Sequence, residues 1–255
     1  MIRYALIVAA IGQFLVPALP SLIGFGTPVG DAARADYGGF PPEQPAGIAF
    51  AIWGVIFSFY AAFALANLFG TNETLRRVGP PLAAAGLFNV LWMLSAQTIN
   101  LQLLNFVLLF PIGYFAFRAA AAFESVRGMG GAPTKLIADA ATGLLSGWIT
   151  VAVAISVPLT IRTLTGLGAT DFPWQMLFLT LATATAGAWA FTTYVSRSLW
   201  YFGALGWGVA CIALNNWFVT GMHPLALTAA LAAILILRWR LTREANPVKA
   251  SPLWT

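Results

Sequence analysis

Charged side chains are scarce in this sequence: Lys, Arg, Asp and Glu together make up 8% of its residues. A soluble domain uses about 25% charged residues to cover its surface, so the composition excludes an ordinary soluble protein. Cysteine and histidine are rarer still, with one residue of each, Cys211 and His223. A single cysteine excludes an intramolecular disulfide, and the sequence offers no metal-spaced set of His, Cys, Asp and Glu.

Apolar residues take the place of the missing charge, since 60% of the chain is hydrophobic and its mean hydropathy is +0.82. They form runs of about 20 residues, the length that a helix needs to cross about 30 Å of hydrocarbon. The alternation typical of a membrane β-barrel is absent. The sequence therefore predicts an all-α polytopic transmembrane helix bundle. The eight predicted spans are residues 2–25, 47–69, 79–97, 102–121, 136–160, 174–194, 199–219 and 223–241.

The distribution of Lys and Arg predicts the orientation. With a cytoplasmic amino terminus, 11 of the 13 basic residues lie on the inner side, and only Arg34 and Arg162 lie outside. This asymmetry follows the positive-inside rule, so we expect both termini in the cytoplasm and the chain in a bacterial inner membrane. The net charge of +5 then reflects the basic residues that fix the orientation in the membrane. We expect no nucleic-acid partner, because no loop combines basic and aromatic residues.

One connection is long. Residues 26–46, on the predicted outer side, are rich in Gly and Pro. Loops of this length without obvious secondary structure are typically lids or binding loops, and a plain connector is the alternative. The polar tail, residues 246–255, contains Pro247 and Pro252 and is expected to be a frayed end.

Spans two, three and five each place a tryptophan on one helix face with a further aromatic, polar or small residue three or four positions away. Trp53 and Trp92 lie about 9 and 8 Å below the predicted outer surface, and Trp148 lies about 18 Å below it. We interpret these faces as one candidate ligand-binding site. Its residues are Phe50, Trp53, Phe57, Asn89, Trp92, Trp148 and Ala152.

The three faces are expected to converge beneath the outer loop. A cavity walled by Trp and Phe suits a flat, largely apolar ligand. Asn89 would be its polar partner, because an amide in hydrocarbon is unfavourable unless it faces protein, water or ligand. The alternative is that Asn89 bonds between helices and the aromatic residues simply pack.

Small residues recur at four-residue spacing in two later spans. Ala182, Ala186 and Ala190 lie in span six, and Ala204 and Gly208 lie in span seven. Such stripes predict close helix packing in membranes. They also make spans six to eight a candidate surface for a second copy or for the subunits of a larger membrane complex.

Three segments resemble the TspO/MBR family, the translocator proteins or tryptophan-rich sensory proteins. Residues 45–57, with sequence PAGIAFAIWGVIF, resemble the Pro-rich loop and second helix of that family. Asn89-Val-Leu-Trp92 resembles its Asn-x-x-Trp in the third helix, and residues 147–152 resemble the Trp-containing segment of the fifth. The resemblance covers about residues 1–160. It implies a five-helix core over 1–160, followed by three additional transmembrane helices over 161–245 as in longer bacterial members.

By this resemblance, the first five helices enclose a pocket for a tetrapyrrole such as protoporphyrin or haem, or for a sterol-like ligand. The outer loop is then the lid, and the function is transport or sensing. The chain departs from the family at Leu144-Leu145, which replace Pro-Tyr, and at Ser156, which replaces Asn. These departures leave a different ligand open, such as a pigment or a lipid.

Two hypotheses follow. The first is a membrane protein that binds a flat apolar ligand, and the second is a structural or accessory subunit of a larger membrane complex. An enzyme ranks third, because the sequence supplies no catalytic constellation of general acid, base or nucleophile.

Overall fold

The computed structural model describes residues 1–28, 37, 39–129 and 131–242. Within these ranges it contains eight α-helices, a 3₁₀ turn over Gly47–Ala51 and no strand, which confirms the all-α helical bundle. Arg34 and the tail at 246–255 lie outside the described residues. The helices are α1 (Ile2–Ile23), α2 (Ile52–Phe69), α3 (Glu73–Thr98), α4 (Gln102–Ser125), α5 (Ala132–Thr165), α6 (Pro173–Tyr194), α7 (Leu199–Phe218) and α8 (His223–Thr242).

Seven of these helices are long and apolar enough to cross a membrane, and α7 is the exception. It has 20 residues and no charged side chain, but Asn215, Asn216 and several Gly and Trp residues reduce its hydropathy. It packs against α5 and α8. The helices agree with the eight predicted spans in number and order, although α7 falls short on hydropathy alone.

Two helices extend by five residues or more beyond a predicted bound. α3 begins at Glu73 rather than at residue 79, because the Asn72 side chain caps it by accepting a hydrogen bond from the Leu75 amide at 3.0 Å. α5 runs for 34 residues, whereas the prediction ended it at residue 160. Gly166, in the left-handed conformation at φ 71°, terminates it.

α5 is the central helix of the bundle. It packs against α2, α4, α6 and α7, and 72% of its most apolar window is buried inside the protein, against 28% for α1 and α8. A helix that is apolar on every side is expected at such a position. α5 therefore joins the first four helices to the last three.

Glycine allows α7 to approach α5 closely. A Cβ atom at Gly147 would collide with the backbone oxygen of Tyr201 and would lie 3.0 Å from the Cβ of Ala204. A Cβ at Gly208 would lie 2.6 Å from a methyl group of Val151. The predicted close packing at Ala204 and Gly208 is therefore confirmed.

In α6, close packing is confirmed beside the predicted alanine stripe but not along it, since a Cβ at Gly187 would lie 2.6 Å from a methyl group of Thr150 of α5. Ala182 and Ala186 are exposed, whereas Thr180, Ala184 and Ala188 are buried. The buried face of α6 is therefore offset from the predicted stripe, since spacing by four is also satisfied on neighbouring faces of a helix.

At the predicted cytoplasmic end, charged side chains tie the helices together. Glu124 at the end of α4 accepts hydrogen bonds from the side chains of Arg127 at 2.9 Å and Arg197 at 2.8 Å. Arg127 also pairs with Asp139 of α5 at 3.1 Å. Partial burial lowers the pKa of Arg127, but its contacts with the two carboxylates outweigh this effect and raise the pKa above its ordinary value. The network links α4, α5 and the α6–α7 connection.

Candidate functional site

Trp53 on α2 is at the centre of a group of aromatic rings from several helices. Its ring stacks on Phe57 at a centroid distance of 5.1 Å. It also contacts Trp92 of α3 at 6.2 Å and meets Trp148 of α5 edge to face at 5.9 Å. These separations are those of directly interacting aromatic pairs. The structure thus brings the three predicted tryptophans to one place.

Two further rings complete this group. Phe50, in the 3₁₀ turn before α2, meets Trp148 edge to face at 6.2 Å, and Phe14 of α1 meets Phe57 at 5.7 Å. Ala152, one turn beyond Trp148 on α5, is partly buried. Sequence reasoning missed Phe14 because α1 carries no tryptophan. We name this group the aromatic cluster, and its members are Phe14, Phe50, Trp53, Phe57, Trp92 and Trp148.

The members of the aromatic cluster differ in burial. Trp148 and Phe57 are 3% and 4% exposed, whereas Phe50, Trp53 and Trp92 are only partly buried. Because Trp53 and Phe57 already stack in direct contact, a flat ligand cannot lie between them without separating the rings. It can contact the partly exposed side of the cluster.

Two buried polar atoms beside the aromatic cluster lack a hydrogen-bond partner among the described residues. Asn89 is fully buried, and its amide nitrogen donates to Oε1 of Gln13 at 3.4 Å. Its Oδ1 has no partner, and neither does the indole Nε1 of Trp92 one turn away. A buried polar group without a partner is unfavourable by about 1–3 kcal/mol. The pair therefore leaves one acceptor and one donor unsatisfied.

Gln13 was missed by sequence reasoning. It is fully buried, and its side-chain nitrogen donates to the backbone oxygen of Ala9 at 3.2 Å. The predicted interhelical hydrogen bond of Asn89 is thus present, although at 3.4 Å it is long. The available signal was a single amide within the long apolar run of α1.

A buried ion pair fastens the described part of the outer loop to α5. Glu43 and Arg162 are both 0% exposed, and the guanidinium donates to the two carboxylate oxygens at 2.6 and 3.2 Å. Arg162 also donates to the backbone oxygens of Gly168 and Asp171 in the α5–α6 connection. These four hydrogen bonds compensate for the burial of the guanidinium, and the carboxylate balances its charge.

The same loop and the 3₁₀ turn that follows it are hydrogen-bonded to α7, one of the three helices after α5. Four contacts make this connection, and three of them use a side chain of α7 as donor. They are Asn215 Nδ2 to Pro41 O at 3.3 Å, Asn216 Nδ2 to Pro42 O at 2.6 Å, Trp207 Nε1 to Ala49 O at 3.0 Å, and Ala46 N to Cys211 O at 2.9 Å. Residues 41–49 are therefore held by α5 and α7 together, next to Phe50 of the aromatic cluster.

Comparison with known proteins identifies the chain by sequence. The family described as TSPO-like protein matches residues 6–241, a range that includes most of α1 and nearly all of α8. No curated protein and no solved structure matches the chain. The matched range runs across residue 160, and the division there stays a prediction. Because the match covers more than nine tenths of the chain, the protein belongs to the TSPO-like family and is an integral membrane protein built as a polytopic helical bundle.

Proposed function

We propose that this protein binds a flat, largely apolar ligand within the bilayer, a tetrapyrrole in first place, for transport or sensing. The observation that carries the proposal is the meeting of Trp53, Trp92 and Trp148 from three helices beside two unpaired buried polar atoms. Membership of the TSPO-like family supports it. Aromatic faces bind extended π-systems by stacking and edge contacts.

The polar atoms define how such a ligand would be oriented. The Trp92 indole offers an N–H donor, and Asn89 Oδ1 offers an acceptor three residues away on the same face of α3. Both atoms are buried, so the side chains of the cluster must move apart before a ligand with an N–H group and an acceptor, as porphyrins have, satisfies both. The cluster residues include none of the usual axial ligands of haem iron, so recognition would rest on the macrocycle and its edge groups.

The outer loop would cover the ligand. Its Glu43–Arg162 ion pair and its hydrogen bonds to α7 fix it next to Phe50. With the proposed orientation, in a bacterial inner membrane with both termini cytoplasmic, the aromatic cluster lies towards the periplasmic side. The proposal is therefore a binding site reached from the membrane or the periplasm beneath a tethered cover.

Titration of the purified protein with protoporphyrin tests the proposal. Binding is followed by the shift of the porphyrin absorption band, so that removal of a tryptophan does not remove the signal. We expect Trp53→Ala and Trp92→Ala each to raise the Kd about tenfold, from lost apolar burial and ring contact. Trp174→Ala is the matched control, because Trp174 lies on α6, is 41% exposed and contacts Phe178. Unchanged affinity in both cluster variants would contradict the site.

The second hypothesis stays a prediction: an accessory subunit that docks through spans six to eight, or a homodimer through the same helices. The outward side chains of α8, such as Leu231 and Ile234 at 56% and 60% exposure, suit lipid as well as a partner. Native mass measurement after gentle extraction separates the two hypotheses. A single chain loaded with ligand supports the binding protein, and a stable complex with other chains supports the subunit.

A further inference from the structure

A groove lies at the end of the bundle opposite the outer loop. It is formed where the start of α1 meets the α2–α3 connection, and its volume is about 420 Å³. Arg3 and Arg76 line it together with apolar side chains that include Ile2, Leu75 and Pro80. The groove therefore combines positive charge with an apolar wall.

Arg3 is held in place by the chain around it. Its two terminal nitrogens donate to the backbone oxygens of Leu68 at 3.2 Å and Gly70 at 3.1 Å, at the end of α2. A guanidinium has five N–H groups, so its other donors are without an acceptor among the described residues. Arg3 is thus a positioned cation with spare hydrogen-bonding capacity.

Arg76 supplies the second cation. Its Nε and one terminal nitrogen bond to Glu73 at 2.8 and 2.7 Å, and Arg77 bonds to the same carboxylate at 2.6 Å. Arg76 and Arg77 therefore share one carboxylate, and Arg3 bonds to backbone oxygens alone, so positive charge exceeds negative charge around the groove. The excess positive charge is complementary to a phosphate group, which guanidinium binds through paired hydrogen bonds.

The position of the groove selects a lipid over a soluble anion. It lies where α1 and α3 begin and α2 ends, which is the boundary between hydrocarbon and water for these spans. Ile2 is 42% exposed beside it, so an acyl chain has an apolar surface to follow below the charges. Basic pockets between membrane helices on the cytoplasmic side are typical sites for anionic headgroups.

We propose that the groove between the start of α1 and the α2–α3 connection binds the phosphate headgroup of an anionic phospholipid through Arg3 and Arg76. The site lies at the other end of the bundle from the aromatic cluster and does not depend on the proposed ligand. The bound lipid would belong to the predicted cytoplasmic leaflet.

The test uses the full-length protein in a neutral detergent, with lipid retention measured by native mass spectrometry. Three probes are compared: dioleoyl phosphatidylglycerol, dioleoyl phosphatidylcholine, and glycerol phosphate as a headgroup without acyl chains. Arg76→Gln is the decisive variant, because Glu73 keeps its bond to Arg77 and no helix carbonyl loses a donor. Arg238→Gln is the matched control. It removes the same charge from an exposed position near the end of α8, on the predicted cytoplasmic side where the groove also lies.

We expect the protein to retain phosphatidylglycerol over phosphatidylcholine, and Arg76→Gln to weaken that retention about fivefold. Arg3→Gln should weaken this retention by a similar factor. Because Arg3 also bonds to the end of α2, the thermal stability of this variant is measured as well, so that a loss of folding is distinguished from a loss of lipid binding. Arg238→Gln should leave the retention unchanged. Equal losses in Arg76→Gln and Arg238→Gln, or equal retention of the two lipids, would overturn the site. Glycerol phosphate binding as tightly as the lipid would overturn the assignment to a lipid.

Discussion

Glu43 and Arg162, separated by 119 positions in the chain, form an ion pair with no exposed surface on either side chain. The pair joins the loop before α2 to the end of α5, and the same guanidinium holds the α5–α6 connection through the Asp171 oxygen at 2.9 Å. A buried charge is tolerated only when its partner and its hydrogen bonds remain in place. The loop and the end of α5 are therefore expected to unfold or move together.

Replacing Glu43 by Gln should strongly destabilise the protein. Gln has a similar shape but no charge, so Arg162 is left buried and uncompensated, at a cost of about 3–5 kcal/mol. Thermal unfolding in detergent measures the change. The control is Glu73→Gln, whose carboxylate pairs with Arg76 and Arg77 at the surface and whose loss should matter little.

The double variant Glu43→Gln/Arg162→Met tests the physical reason. Because it removes the stranded cation, it should be more stable than Glu43→Gln alone. An equal shift in Glu43→Gln and Glu73→Gln would mean that the loop does not depend on this ion pair.

The link between the loop and α7 predicts a change in local exchange. Asn216→Leu removes the 2.6 Å hydrogen bond to the Pro42 oxygen while keeping a side chain of similar size. Residues near Pro42 then lose an anchor, and the Ala46 amide, which donates to the Cys211 oxygen, should exchange about fivefold faster. Hydrogen–deuterium exchange of the loop peptide measures this effect.

Thr228→Ala is the control for the exchange experiment. Among the described residues, the Thr228 hydroxyl bonds only to the Pro224 oxygen within α8, so its loss should leave exchange in the loop unchanged. Unchanged exchange in Asn216→Leu as well would show that α7 does not hold the loop.

The helices and the aromatic faces were predictable because their signals are local. Runs of about 20 apolar residues set the spans, and the spacing of three or four residues placed Phe50, Trp53 and Phe57 on one face of the second span, although Phe50 lies in the 3₁₀ turn before α2. Trp148 meets Trp53 although counting residues put it about 9 Å deeper. Counting residues assumes that the helices start at one level and run parallel, and the 5.9 Å contact between the two indoles shows that this assumption does not hold here.

The loop contacts were not predictable, because no periodicity links residues so far apart. Pro42 and Asn216 are separated by 174 positions, and nothing in either segment specifies the other. Arg162 did carry a signal, as one of two basic residues on the predicted outer side. An outlying charge at a span end indicates a partner but does not identify it.

Asn89→Leu separates ligand binding from stability. Leu removes the unpaired Oδ1 from a fully buried position, and the hydrogen bond that it deletes, to Gln13, is long at 3.4 Å. The deletion also leaves Oε1 of the buried Gln13 without its donor, so one unpaired oxygen replaces another and we expect stability to change by less than about 1 kcal/mol. If the proposed site is correct, protoporphyrin affinity should fall about fivefold from the loss of one acceptor. A large loss of stability with unchanged affinity would assign Asn89 to helix packing alone.

Gly147→Ala tests the contact between the central helix, α5, and α7. The new methyl group would collide with the Tyr201 backbone oxygen and press on Ala204, so α7 must move away, at a cost of about 1–3 kcal/mol. The matched control is Gly203→Ala on α7, where a Cβ meets nothing within 4 Å. There Ala should be neutral, or stabilising by up to about 1 kcal/mol through helix propensity.

Thermal unfolding of the two alanine variants, made in the same background, gives the comparison. Since α7 also holds the outer loop, Gly147→Ala should in addition speed amide exchange at Ala46, which Gly203→Ala should not do. If the two variants melt alike, α5 and α7 do not pack tightly at Gly147, and this contact does not support the hold of α7 on the loop.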